Sequence, residues 1–205
     1  QGGRAGATIS PPPQTGRGPV IRLHFQLLIR EIFEFRLIQT DPNFANYRYD
    51  SVSRQLILLD FGATRSYQAT MIEHYRQLMH GATTGNRPAM NAAAQAIGYF
   101  QADISDTQRS LVLDIFALAC EPLRHEGEYD FGRSDLAIRI RDAGMVLGMD
   151  RYFWQTPPAD TLFLHRKLGG LYLLAARLKV RVNVQKMAAN FLSTVTPPLA
   201  VAPSH

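Results

Sequence analysis

The sequence predicts a mainly α-helical domain that contains one small β-hairpin. Early in the chain, apolar residues recur at spacings of three and four, which is the period of an amphipathic helix. Two short runs of strand-forming residues follow, joined by the linker SVSR. Beyond the hairpin, the pattern is typical of a succession of capped helices. With 205 residues, 46% of them hydrophobic, the chain is long enough for one sizeable core.

The first helix is expected from Val20 to Ile38. Its apolar positions share one face and are Ile21, Phe25, Leu28, Ile32 and Phe35. Pro42 is expected to close off helical structure. Residues 1–19 are rich in Gly, Pro, Ser and Thr, and we expect them to form a disordered leader. The predicted domain covers residues 20–195, and a flexible tail follows at 196–205.

The hairpin is predicted from the runs NYRYD and QLILLDF. The second run is rich in β-forming residues and apolar enough to be a buried strand. The later helices are expected at about Tyr67–His80 and Pro88–Tyr99, then after Ser105, after Ser134, from Pro158 to about Leu178, and after Asn183. Ser105 and Gln108 have the spacing of a capping box, and the helix after Ser134 is expected to break near Gly148.

Composition and charge exclude several classes of protein. The net charge is +5, but the basic residues are scattered, so we predict a solvated basic surface rather than a nucleic-acid partner. No apolar stretch approaches the roughly 20 residues that a membrane-spanning helix needs. The single cysteine, Cys120, lies in an apolar run and is expected to be a buried free thiol, which fits a reducing compartment.

Three oxygen-bearing side chains near the hairpin form a candidate metal site. Asp41 and Asn46 lie in a proline-containing loop, and Asp60 ends the apolar run in the sequence LLDFG. If the two runs pair antiparallel, the hairpin returns Asp60 to within side-chain reach of Asn46. Mg²⁺ prefers oxygen ligands and usually takes one or two protein groups together with substrate phosphates. The spacing therefore makes this loop a candidate metal site, with Asn46 and Asp60 within reach of each other.

The tripeptide Asp-Phe-Gly occurs twice, and only the first copy has this context. Asp130 follows the polar sequence RHEGEY, with neither an apolar strand nor a D-x-x-x-x-N sequence before it. We therefore expect a structural turn at the second copy. His165 lies in a predicted helix far along the chain from Asp60, so we expect a structural or surface histidine rather than an acid or base.

The order D-x-x-x-x-N, hairpin, D-F-G is the layout of the catalytic loop and metal-binding segment of protein-kinase-like enzymes. The kinase triplet His-Arg-Asp is replaced here by Gln39-Thr40-Asp41. With that replacement, QTDPNFAN followed by LLDFGATR resembles the AarF/UbiB atypical kinase-like family, which supports ubiquinone biosynthesis. EPLRHEGEYDFG and LHRKLGG also resemble the helical half of that family, so the resemblance covers about residues 22–192.

This resemblance implies a protein-kinase-like C-lobe and a site for Mg²⁺ and ATP. Asp60 would hold magnesium and bridge it to the nucleotide phosphates, and Asn46 would supply a second ligand. Asp41 would occupy the position of the catalytic base. Gly62 would permit the backbone turn beneath the metal-binding carboxylate. The implied location is cytoplasmic or peripheral at the inner face of a membrane.

The N-lobe of a kinase-like enzyme is expected to be absent from this sequence. No lysine precedes Lys167, so the phosphate-binding lysine of an N-lobe has no counterpart, and neither does the family's alanine-rich nucleotide loop. We expect a fragment or a shortened copy that has little or no turnover alone. The implied partners are nucleotide, the missing N-lobe, and lipid or ubiquinone-biosynthesis proteins.

Two alternatives remain open from the sequence. The chain could be a noncatalytic scaffold, or a lipid- or partner-binding module, that retains a relic of the metal site. A small-molecule kinase of the aminoglycoside or choline type shares a similar D-x-x-x-x-N loop, but it fits QTDPN and the later helical motifs less well.

Overall fold

The computed structural model describes residues 14–41, 43–100, 104–149 and 158–193. The described part is mainly helical, with three small antiparallel strand pairs. In chain order the elements are α1 (Gln14–Arg30), β1 (Leu37–Gln39), β2 (Tyr47–Asp50), β3 (Gln55–Leu58), β4 (Thr64–Ser66), α2 (Ala69–Thr84), α3 (Arg87–Ile97), α4 (Asp106–Ala119), α5 (Glu121–Arg124), β5 (Tyr129–Asp130), α6 (Leu136–Met149), α7 (Ala159–Arg177), β6 (Arg181–Val182) and α8 (Val184–Leu192).

The first helix differs from its predicted boundaries at both ends. It begins at Gln14, so the boundary expected between residues 19 and 20 falls inside α1. A π-helical turn, Glu31–Phe35, extends it, and Arg36 ends it by adopting a left-handed backbone conformation with φ of 53°. The prediction of helix as far as Ile38 was therefore wrong, because Ile38 lies fully buried in β1. Pro42 and the predicted tail lie outside the described residues.

The predicted hairpin is present, with β2 and β3 antiparallel and Tyr47 opposite Leu58. The prediction that its second strand is buried was wrong. Alternate residues of β3 are exposed, including Ile57 at 43%, whereas Leu58 is only partly buried. The reason is that a two-stranded sheet offers one face to the helices, and nothing in the described part of the chain covers the other face.

Two further strand pairs were not predicted. β1 pairs with β4, so that Gln39 lies opposite Thr64, and β5 pairs with β6, so that Tyr129 lies opposite Val182. Strands of two or three residues carry no alternation of apolar and polar side chains. Their partners are also distant along the chain, and pairing of this kind depends on the tertiary packing around it.

The helix boundaries follow local capping chemistry closely. Ser105 and Gln108 form the predicted capping box at the start of α4, with the Gln108 N–H donating to Ser105 Oγ at 3.2 Å and the Ser105 N–H donating to Gln108 Oε1 at 3.1 Å. Asn183 caps α8 by accepting from the Lys186 N–H at 2.8 Å. α6 continues through Gly148 and ends at Met149.

One contiguous apolar core joins the helices. At its centre Phe25 of α1 stacks on Phe131 at 5.3 Å between ring centroids, and Phe131 packs against Tyr172 of α7 at 5.4 Å. Cys120 lies buried at the end of α4, where burial raises the pKa of its thiol to about 12. A thiol with that pKa is protonated at neutral pH and is a poor nucleophile, which agrees with the expected buried free thiol.

Candidate functional site

The β-structure places the predicted site residues at one end of the hairpin. β1 leads directly into Thr40 and Asp41. A 3₁₀ turn at Phe44–Asn46 then leads into β2. The Leu59 N–H donates to the Asn46 carbonyl at 2.8 Å, which extends the hairpin ladder by one pair. Asp60 is the next residue, so its backbone directly follows that of Leu59, which is paired with Asn46.

Asp41 and Asn46 contact each other through their side chains. The Asn46 Nδ2 group donates to Asp41 Oδ2 at 2.7 Å, and the Asn43 N–H donates to Asp41 Oδ1 at 3.0 Å. These bonds fix the carboxylate of Asp41 at the rim of the loop. Because Asn46 uses its nitrogen as the donor, its Oδ1 is the amide atom suited to a metal ion.

Asp60 is positioned by the turn that follows it. Its Oδ1 accepts from the Gly62 N–H at 2.7 Å, and its backbone carbonyl accepts from Gln39 Nε2 at 2.9 Å. The Asp60 carboxylate is therefore held in place by a backbone N–H two residues further along the chain. A carboxylate oxygen that accepts one such bond has lone pairs left for a further partner.

Gly62 lies beneath this carboxylate, but the reason differs from the one expected. Its φ lies outside the left-handed region that favours glycine. The constraint is space, because a Cβ at this position would be 3.1 Å from Asp60 Oδ1. A side chain at position 62 would therefore press on the carboxylate instead of straining the backbone.

Sequence reasoning missed two side chains that hold the site together, Gln39 and Thr40. Gln39 Oε1 accepts from the Asp41 N–H at 2.8 Å, while its Nε2 reaches the carbonyl of Asp60. Thr40 donates to the Ala63 carbonyl at 2.7 Å, both from its backbone N–H and from Oγ1. In the sequence they stand out only as the two residues that replace His-Arg of the kinase triplet, and nothing there shows that both are buried and therefore need hydrogen-bond partners.

A buried ion pair lies behind the Asp41 loop. Lys167 Nζ of α7 contacts Glu31 Oε2 and lies 3.4 Å from the Tyr47 hydroxyl. Burial raises the pKa of Glu31 and lowers the pKa of Lys167, whereas the contact between the two groups opposes both shifts. Asp41 and Lys167 both line a cavity of about 20 Å³. The pair joins α7 to the π-helical turn that extends α1, and Tyr47 of β2 lies beside it.

The donor set fits magnesium better than a transition metal. Within the described ranges, no group of three or more His, Cys, Asp or Glu side chains is arranged to hold a metal ion. Asn46 and Asp60 offer an amide oxygen and a carboxylate, which are hard oxygen ligands. Two such ligands are too few for a closed protein site, but they suit an ion that also takes phosphate oxygens and water.

The second Asp-Phe-Gly has the structural role expected of it. Asp130 Oδ1 accepts from the Gly132 N–H at 3.0 Å and from the Arg133 N–H at 3.2 Å, so it caps a turn. Phe131 is buried in the aromatic core, whereas Phe61 in the first copy is 64% exposed. The same three letters therefore form a core anchor in one place and an exposed loop in the other.

The segment that contains Asp41, Asn46, the hairpin and Asp60 lies within the part of the chain that matches a known family. A profile of the ABC1 atypical kinase-like domain matches residues 13–94, which include the whole site. The mitochondrial atypical kinase COQ8B of Rattus norvegicus is 36% identical over 161 residues. This chain belongs to the ABC1 atypical kinase-like family. The family predicted from the sequence motifs is thus confirmed.

Other ABC1-family relatives give a consistent result. The mitochondrial atypical kinase COQ8 of Saccharomyces cerevisiae is 32% identical over 162 residues, which cover 79% of this chain and 32% of that protein. The match to the rat protein covers 77% of this chain and 30% of that protein. The chain therefore spans about a third of the length of these relatives.

The fold is also similar to that of a solved structure. The Rv3197–erythromycin complex from Mycobacterium tuberculosis superposes with a TM-score of 0.60 at 14% identity. The match covers 90% of this chain and 46% of that one. At this identity the likeness concerns the fold alone, and it agrees with the mainly helical kinase-like lobe expected from the sequence. None of the helices in the described ranges has the length and hydropathy needed to cross a membrane.

Proposed function

We propose that this ABC1-family lobe binds Mg²⁺ and the phosphates of ATP in the complete protein, and that it takes part in ATP hydrolysis or phosphoryl transfer in support of ubiquinone biosynthesis. The observation that supports the proposal is the 2.7 Å hydrogen bond from Asn46 to Asp41, at the end of the hairpin where Asp60 follows the second strand. Family membership supports ATP use in general. A peripheral position at the inner face of a membrane belongs to the same proposal.

Each side chain has a separate task in this proposal. Asn46 Oδ1 and the Asp60 carboxylate would hold the magnesium ion, which when bound neutralises charge on the phosphates. Asp41 would accept a hydrogen bond from the attacking hydroxyl or water and orient it. Its two oxygens already accept bonds from Asn43 and Asn46, so the carboxylate is fixed before any substrate arrives.

Replacing Asp60 by Asn in the complete protein tests the proposal. The change removes the charge that would bind magnesium but keeps an oxygen to accept the Gly62 N–H. We expect magnesium-dependent ATP hydrolysis to fall at least 100-fold, as for loss of a metal-bridging group, with the unfolding midpoint unchanged. ATP hydrolysis by purified protein and thermal unfolding are the two measurements.

The second Asp-Phe-Gly offers a matched control. Asp130→Asn makes the same chemical change in the same tripeptide, at a turn that caps backbone amides. It should leave ATP hydrolysis within about twofold of the parent protein, because this turn lies outside the site. Unchanged hydrolysis in Asp60→Asn would instead favour a noncatalytic role.

The noncatalytic alternative has one observation in its favour. Apolar side chains around the hairpin are exposed in this chain, among them Leu59 at 60% and Phe61. Exposed apolar side chains next to one another are typical of a surface that another protein segment or a lipid covers. A scaffold or a lipid- or partner-binding module would use that surface and would keep its function when Asp60 is replaced.

A further inference from the structure

Gln39 is a buried polar side chain, with only 1% of its surface exposed. Burying an amide is unfavourable unless both its donor and its acceptor find partners. Gln39 finds both, and neither partner is another side chain. Its hydrogen bonds go to the backbone of the two residues whose carboxylates define the candidate site.

The two ends of the Gln39 amide have different partners. Nε2 donates to the carbonyl of Asp60 at 2.9 Å, and Oε1 accepts from the N–H of Asp41 at 2.8 Å. The bond to Asp41 is local, whereas Asp60 lies 21 residues away along the chain. One planar amide therefore bridges the two backbone segments at Asp41 and Asp60, just beyond the end of the β1–β4 pairing.

Thr40 completes the attachment of the Asp60 turn. It holds the Ala63 carbonyl through two donors, while Gln39 holds the Asp60 carbonyl. The turn from Asp60 to Ala63 is therefore fixed at its first and last residues by neighbouring residues of the other segment. Gly62 closes the turn from inside by donating to Asp60 Oδ1.

We propose that Gln39 is a positioning residue, whose amide sets the separation of the Asp41 and Asp60 carboxylates for phosphate chemistry. This inference rests on the proposed function. Supporting groups of this kind commonly change metal affinity or activity by about 10- to 100-fold when they are replaced. Glutamine suits the task because it combines a donor and an acceptor in one rigid group.

Two substitutions separate the two bonds of Gln39. Gln39→Glu keeps the size of the side chain and an acceptor for the Asp41 N–H, but it places oxygen against the carbonyl of Asp60. Gln39→Leu loses both bonds. In the complete protein, we expect Gln39→Glu to raise the magnesium concentration for half-maximal ATP hydrolysis by about 10-fold or more, with a lowered kcat. Gln39→Leu should raise this magnesium concentration and lower kcat at least as much.

A core substitution controls for stability. Tyr172→Phe removes a buried hydrogen bond, from the Tyr172 hydroxyl to the Ala119 carbonyl at 2.7 Å, in a different part of the core. It should lower the unfolding midpoint without changing the magnesium dependence. Should Gln39→Leu fail to fold, Gln39→Glu still decides the matter, and Mn²⁺ binding followed by electron paramagnetic resonance gives a readout that is independent of turnover.

The outcomes distinguish this inference from the proposed function. A parent protein with no magnesium-dependent hydrolysis and no Mn²⁺ binding would overturn both. An active parent whose folded Gln39 variants keep the same kcat, magnesium dependence and Mn²⁺ affinity would overturn the positioning role alone. A shifted magnesium dependence in the Gln39 variants, absent from Tyr172→Phe, would support it.

Discussion

At the scale of single residues, Gly132 shows how close packing can require glycine without any special backbone angle. A Cβ at this position would lie 2.7 Å from Lys179 Cα, which is backbone and cannot rotate away. We expect Gly132→Ala to lower the free energy of unfolding by about 1–3 kcal/mol, the usual range for overpacking. Chemical denaturation of the isolated chain would measure the change.

Gly169 gives the matched control for this substitution. It lies inside α7, and a Cβ there would meet nothing within 4 Å. Gly169→Ala should therefore leave stability unchanged or raise it by up to about 1 kcal/mol, because alanine is the better helix former. Equal effects from the two alanines would contradict the steric explanation.

Residue identity alone did not reveal every role in the site. The hairpin that returns the chain at Asp60 to Asn46 could be predicted from its two strand-forming runs. Gln39 could not, because its importance depends on burial and on two backbone partners that only the folded chain brings together. Gly62 was expected to be needed for its backbone freedom, whereas the structure shows that glycine is favoured there because a side chain would crowd the Asp60 carboxylate.

At the scale of secondary structure, local chemistry was predictable and distant pairing was not. The capping box at Ser105 and the cap at Asn183 act within four residues, so the sequence contains all that is needed. β1 and β4 lie on either side of the hairpin in the chain, so their pairing joins segments that are distant in the sequence. The exposed face of β3 was misjudged because an apolar run shows what can be buried, not what is available to cover it.

The contact between α7 and the segment after α3 leads to a prediction about pH. His165 of α7 is hydrogen bonded through Nε2 to the Tyr99 hydroxyl at 2.8 Å, and its ring stacks on the Tyr99 ring. Burial lowers the pKa of His165 to about 4 from its ordinary value of 6.5. In the folded state this histidine is therefore neutral at pH values where the unfolded chain would protonate it.

The sign of the pH effect follows from that difference. Between about pH 4 and 6.5 the unfolded state binds more protons at His165, so stability rises with pH and is fully present above about 6.5. Lowering the pH to 4 should reduce the free energy of unfolding by up to about 3 kcal/mol through protonation of this group. His24, whose pKa burial also lowers, contributes in the same direction.

His165→Phe should flatten this dependence, because the ring still packs but cannot be protonated. Tyr99→Phe is the control: it removes the hydrogen bond but leaves the histidine buried, so it should lower stability without abolishing the pH dependence. Denaturant unfolding of the parent chain and both variants between pH 4 and 7 would measure how the free energy of unfolding depends on pH. Parallel curves for the parent and His165→Phe would show that this histidine is not responsible.

At the scale of the whole molecule, the described chain has a core of its own but an uncovered site. One apolar cluster runs from α1 to α8, and Lys167 of α7 pairs with Glu31 behind the loop that contains Asp41. The site is thus supported from behind by the same core that stabilises the fold. In front, Leu59 and Phe61 remain exposed beside Asp60.

That asymmetry leads to a prediction about nucleotide binding by the isolated chain. Ligand sites usually bury most of the ligand between opposing walls, whereas the described ranges leave Leu59 and Phe61 exposed beside Asp60. We expect the isolated chain to fold cooperatively, yet to bind magnesium-ATP more weakly than micromolar and to turn over little or none. Calorimetric titration of the isolated chain and of the complete protein, each first shown to be folded, would measure the difference. Micromolar affinity in the isolated chain would mean that this lobe holds nucleotide by itself, and the exposed residues beside Asp60 would then need another explanation.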